Sequence, residues 1–184
     1  MLDIKKTEID GVLLITPKRY SDARGFFVES YHAGRYREAG IADIFVQDNH
    51  SLSIAAGTVR GLHFQAPPRA QAKLVRVLKG AIIDVAVDAR KMSPTYGKHV
   101  RAMLSADNGA QLLVPAGFLH GFATLEPGTE VAYKVSDYYS AGHDGGVFWN
   151  DPTLGIDWGI DPAIAVVSEK DAKAAPFSRF QSPF

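Results

Sequence analysis

Apolar residues come in short runs along this chain, each broken by glycine, proline or polar turn residues at intervals of roughly 8–12 positions. That rhythm predicts an antiparallel sandwich or barrel. The middle of the chain is clearest. Residues 73–78 predict a strand, Gly80 a turn, and residues 81–88 a second strand, where Ile83, Val85 and Val87 alternate with Asp84, Ala86 and Asp88. Residues 100–104 and 111–114 flank Asp107-Asn108-Gly109, a tight-turn signal. Pro115-Ala116-Gly117 then interrupts the backbone before a strand over 118–125, and 129–138 is a further run of β-formers. Helical signals are confined to residues 31–39, stopped by Gly40, and 168–174, ended by Pro176. The expected fold is an all-β jelly roll with a few short helices.

Composition narrows the chemistry. A chain of 184 residues fits one domain, 1–184, and buries about 70% of its unfolded surface, so its core needs no staple. Lys plus Arg and Asp plus Glu both number 20. This balance argues against a nucleic-acid or anionic-membrane surface and leaves room for a pocket with a few cations. Cysteine is absent, which excludes disulfides, thiolate metal sites and cysteine nucleophiles. The start, MLDIKKTEIDG, is charged where a secretory signal has an apolar core, and no run approaches a membrane span, so a cytoplasmic location is expected.

Three stretches carry polar groups suited to chemistry. In Val59-Arg60-Gly61-Leu62-His63-Phe64-Gln65, strand periodicity puts His63 and Gln65 on one face, with Leu62 and Phe64 on the other. His63 is either a general base or a satisfied core histidine. Gln71-Ala72-Lys73-Leu74-Val75-Arg76 sets a lysine at a strand start, able to stabilise an oxyanion or simply to snorkel to solvent. Pro115-Ala116-Gly117-Phe118-Leu119-His120 resembles the second motif of the cupins. Metal-binding cupins draw a His-x-His pair from their first motif. Here His63-Phe64-Gln65 stands in that place, so the usual metal set is incomplete. Ser168 and Asp171 have the spacing of a helix cap, and Asp171 has the alternative of orienting His63 as a triad acid does. Tyr133, Tyr138 and Tyr139 read as packing residues, as a buried acid, or as rings for a nucleobase.

Taken together, several motifs resemble the dTDP-4-dehydrorhamnose 3,5-epimerase family across about 150 residues. They are Asp22-Ala23-Arg24-Gly25-Phe26-Phe27-Val28-Glu29, Gln47-Asp48-Asn49-His50-Ser51, Arg60–Gln65, Gln71–Arg76, Ser93-Pro94-Thr95, Tyr133-Lys134, Trp149-Asn150-Asp151-Pro152 and Lys170-Asp171. The resemblance implies a cupin-type double-stranded β-helix that acts as a homodimer without metal or organic cofactor. It implies a dTDP-linked 4-keto-6-deoxy sugar as substrate. By position, His63 is the family's base, oriented by Asp171, Tyr133 is its acid, and Lys73 faces the C4 oxygen. Arg24, Glu29, Gln47, Asn49, Arg60, His120, Tyr139, Asp144 and Lys170 fall at substrate-binding positions. Asp144 departs from the pattern, since relatives more often carry Glu.

This chemistry suits those residue types. A proton beside a ketone is removable when the charge moves onto oxygen. Inversion needs a base on one face, a positive group at the oxygen and a proton donor on the other. Three rivals remain: a relative that inverts one centre or moves the carbonyl, a metal-dependent cupin oxygenase, and a non-catalytic sugar- or nucleotide-binding cupin.

Overall fold

The computed structural model describes residues 2–184. Thirteen strands run β1 (Leu2–Lys6), β2 (Leu13–Pro17), β3 (Arg19–Asp22), β4 (Gly25–Val28), β5 (Gln47–Ser53), β6 (Val59–Gln65), β7 (Lys73–Lys79), β8 (Ala81–Asp88), β9 (His99–Ser105), β10 (Gln111–Val114), β11 (Phe118–Thr124), β12 (Thr129–Val135) and β13 (Asp144–Gly146). They form a six-stranded sheet, β1-β2-β10-β7-β12-β5, and a five-stranded sheet, β13-β6-β11-β8-β9. From β5 onward the chain changes sheet at every step except β8 to β9. That alternation is the cupin-type jelly roll. β3 and β4 form a separate two-stranded ribbon, hydrogen-bonded to neither sheet.

Three apolar clusters follow the strand parity. Between the sheets lie Val75, Val77, Ile82, Ala86, Leu104, Leu112, Phe118, Phe122 and Val131. The outer face of the five-stranded sheet presents Leu62, Ile83, Val85, Val87 and Leu119, and the chain's last third covers it with Trp149, Leu154 and Trp158. Helix α1 (Ala33–Glu38), capped by His32, lays Tyr36 over Ile15, Leu74 and Leu113 on the other sheet's outer face. β8 is therefore buried on both sides along its whole length. Its alternating aspartates are interior groups with partners: Asp84 meets His120, and Asp88 meets Arg90, Ser93 and Thr95.

Most expected boundaries hold within a residue or two; one strand ends three residues early, and both helices are shorter than expected. The run over 129–138 stays a strand only to Val135, where Ser136 bonds back to Ala72 and the chain turns into a loop. The first helix spans six residues. The second, α2 (Glu169–Ala172), is a single turn in which Ser168 Oγ accepts from the Asp171 amide at 3.1 Å. No helix among the described residues is long and apolar enough to cross a membrane.

One close approach fixes the spacing between β6 and β11. A Cβ on Gly61 would stand 2.5 Å from Gly121 Cα, and one on Gly121 would stand 2.9 Å from the Arg60 carbonyl. Only glycine fits at either position. Nearby, His63 and His120 face each other in register across the same strand pair.

Candidate active site

The polar face of β6 opens into the space between the sheets. Two adjoining cavities of about 450 and 240 Å³ share His63, Lys73, Tyr133 and Lys170 as walls. The larger is also lined by Ser51, Arg60, His120 and Asp171, and the smaller by Gln47, Asn49, Tyr139 and Asp144. Eleven of the thirteen residues singled out in the sequence thus meet at one site, although they come from β5, β6, β7, β11, β12, β13, α2 and the loop after β12.

The imidazole of His63 is the best-oriented group. Its Nε2 lies 2.7 Å from Asp171 Oδ1, and Asp171 Oδ2 also accepts from the Gly61 amide at 3.4 Å. The two readings of Asp171 resolve into a division of labour: its amide is capped by Ser168 while its carboxylate faces His63. Burial works against the charge on Asp171. The His63 ring and the Gly61 and Ser168 donors outweigh it and hold the carboxyl below its usual range. With Nε2–H given to Asp171, the lone pair of neutral His63 sits on Nδ1, which can take a proton.

Lys73 opens β7 with its amine inside the cavity. Burial pushes it down to about 8, against the opposing pull of Asp84 and Asp144. The snorkelling alternative does not apply, because the side chain lies between the sheets. Tyr133, on β12, has its phenol pushed up by burial, with Arg60 acting against the rise, so it stays protonated at neutral pH. His120 Nε2 lies 2.7 Å from Asp84 Oδ1. Burial lowers its affinity for a proton, and Lys73 and His63 add to that while Asp84 opposes it. Lys170 pairs with Asp144, and Arg60 donates to the Leu52 carbonyl at 3.0 Å.

An imidazole base, a cation and a protonated phenol around one cavity can remove a proton from carbon, hold the resulting oxyanion and return a proton. The family comparison agrees with that chemistry. The family model described as dTDP-4-dehydrorhamnose 3,5-epimerase matches residues 6–179. This chain belongs to that family. An epimerase of that name from Sinorhizobium fredii is 55% identical over 167 residues, 89% of this chain and 84% of its own. The Bacillus anthracis epimerase, whose crystal structure holds TDP and PPi, superposes with a TM-score of 0.92 at 49% identity, covering 96% of this chain and 99% of that one. The Legionella pneumophila epimerase in complex with dTDP-4-keto-L-rhamnose gives 0.94 at 44%, covering 98% and 95%.

Two residues expected from the sequence to bind substrate line neither cavity. Arg24 sits at the turn of the β3–β4 ribbon, bonded to Asp22, and Glu29 pairs with Arg35 of α1. The ribbon also exposes Phe26 and Phe27. Conversely, sequence reasoning passed over Ser51 and Asp84. Among the described residues, Ser51 Oγ and Asp84 Oδ2 are the buried side-chain atoms without a hydrogen-bond partner. Ser51 shares strand parity with Gln47 and Asn49, a signal that marks it as inward-facing. Asp84 is one of two acids in an otherwise apolar strand. Gln65, where metal cupins place a second histidine, spends its carboxamide on backbone groups. Among the described residues no cluster of three or more His, Asp or Glu is arranged to hold a metal.

Proposed function

We propose that this epimerase converts dTDP-4-dehydro-6-deoxy-D-glucose to dTDP-4-dehydro-L-rhamnose by inverting C3 and C5 with His63 as base and Tyr133 as acid. His63 Nδ1 takes the proton from the carbon beside the ketone, and the C–H electron pair moves onto the C4 oxygen. The Lys73 ammonium stabilises that enolate. Tyr133 then delivers its phenolic proton to the same carbon from the opposite face. His63 returns its proton to solvent, tyrosinate regains one, and the cycle repeats at the second carbon. The ketone itself is the electron sink, so no organic cofactor enters the scheme. Arg60, His120 and Lys170 hold the diphosphate side, with arginine able to grip phosphate oxygens in pairs. Gln47, Asn49, Tyr139 and Asp144 line the adjoining lobe.

The observation that carries this reading is the meeting of the His63–Asp171 pair, Lys73 and Tyr133 in one cavity. Turnover in deuterated water tests it. Deuterium is expected at both C3 and C5. Label at one carbon would make this a single-centre epimerase, and none would remove the acid–base scheme.

The working unit in this proposal is a homodimer. Arg24 and Glu29 lie off the cavity of their own copy, on or beside a ribbon with exposed aromatics, a geometry suited to reaching a neighbour's site. Mixing Arg24→Ala with His63→Ala subunits, each inactive or impaired alone, is expected to restore activity. Restoration requires that Arg24 of one copy serve His63 of the other. If Arg24 serves its own copy, every mixed site keeps a defect.

A further inference from the structure

The loop that carries Tyr139 has almost no ladder of its own. β12 ends at Val135 and β13 begins at Asp144, leaving eight residues at the cavity mouth. Three glutamine carboxamides hold its centre. Gln65 Oε1 accepts from the Ser140 amide at 2.7 Å, and its Nε2 donates to the Arg69 carbonyl at 2.7 Å and the Tyr138 carbonyl at 3.2 Å. Gln47 Oε1 accepts from the Tyr139 amide at 3.1 Å, and Gln71 Nε2 donates to the Asp137 carbonyl at 2.8 Å. Four consecutive residues, 137 to 140, are thereby fastened by side chains from β5, from β6 and from the approach to β7. Since β5 and β6 belong to different sheets, the loop is tied to both layers.

Gln65 is the centre of this arrangement. It is 4% exposed, and its acceptor and both of its N–H donors are engaged, which is the working capacity of a carboxamide in such a site. It also stands two residues from His63 on the same strand face. We propose that Gln65 is a positioning residue for nucleotide-sugar binding: it locks residues 137–140 so that the Tyr139 wall keeps a fixed place across the cavity from His63. Gln65 acts through peptide groups. A loop ordered before the ligand arrives spares the complex the entropy of ordering it afterwards. The proposal rests on the epimerase reading for its substrate class, and its lock is measurable without turnover.

The test is Gln65→Met, which keeps length and volume and removes all three bonds, beside Gln65→Glu, which keeps the acceptor and loses both donors. For Gln65→Met, loss of buried hydrogen bonds predicts about a tenfold rise in the Kd for dTDP and in KM, with a much smaller fall in kcat. Amide exchange at Tyr139 and Ser140 is expected to accelerate by at least about tenfold while β8 amides stay protected. In Gln65→Glu the Ser140 amide should keep more protection than in Gln65→Met, so the lock remains testable if the methionine variant folds poorly. Unchanged dTDP affinity, or unchanged exchange at Tyr139 and Ser140, would overturn the proposal. A fall in kcat at constant KM would overturn it too, moving Gln65 to the chemical step. A wild-type protein that binds dTDP yet exchanges no substrate hydrogen would sink the epimerase reading alone.

Discussion

The molecule contains two imidazole–carboxylate pairs with the same bond and different surroundings. His63 and His120 each hold an aspartate through Nε2 at 2.7 Å, and they face each other across β6 and β11. The His63 side chain is 32% exposed, to the cavity, while that of His120 is 6% exposed and its aspartate is fully buried. The carboxylates differ as well. Asp171 stands on a short helix and accepts a further bond from the Gly61 amide, whereas Asp84 has one oxygen without a partner, in the neighbourhood of Lys73. A histidine–aspartate bond is therefore no mark of a base by itself. Access to the second ring nitrogen and the cost of charging the ring decide the role. On both counts His63 suits proton abstraction, and His120 suits service as a neutral hydrogen-bonding wall.

The comparison breaks most visibly in hydrogen exchange. His63→Ala is expected to slow substrate deuteration by about a thousandfold, the usual scale for losing a general base. His120→Ala should act mainly on KM, and equal losses of exchange in the two variants would erase the distinction. Next in size is stability, read by denaturant unfolding. His120→Ala leaves Asp84 buried without its partner and should cost about 3 kcal/mol. Loss of His63, which is about a third exposed, should cost less, because the Gly61 amide still serves Asp171. The smallest effect is in the pH profile. Lys73 is charged below about 8 and neutral above it, so kcat/KM should fall as pH rises through that value. Asp84 favours the ammonium, and Asp84→Asn should therefore move this limb to lower pH. A limb that stays in place would uncouple Asp84 from Lys73.

The sheet elements were legible wherever glycine or a turn sequence punctuated a β-rich run, as at Gly80 and Asp107-Asn108-Gly109. Their environments were less so. The alternation in β8 reads the same whether its aspartates face water or a buried partner, because pairing depends on strands distant in sequence. The His63–Asp171 pair spans 108 positions, so no local spacing reveals it; triad chemistry offered the pairing as an alternative to a helix cap, and the family resemblance favoured it. The division of Asp171 between cap and carboxylate partner needed coordinates. Arg24 and Glu29 carried a family signal yet line neither cavity, because the resemblance marks positions without their placement in the fold. Gln65 was read for the ligand it replaces, since its contacts lie as many as 75 residues downstream.

The paired glycines of β6 and β11 have a practical consequence for redesign. Because a single methyl at either position collides with opposing main chain, these two sites define the gauge between the strands bearing both histidines. Libraries meant to retarget the cavity to other sugars should leave that gauge untouched and place their diversity on the inward positions of β5. That strand is an edge of the other sheet, hydrogen-bonded to neither of the strands that bear the imidazoles.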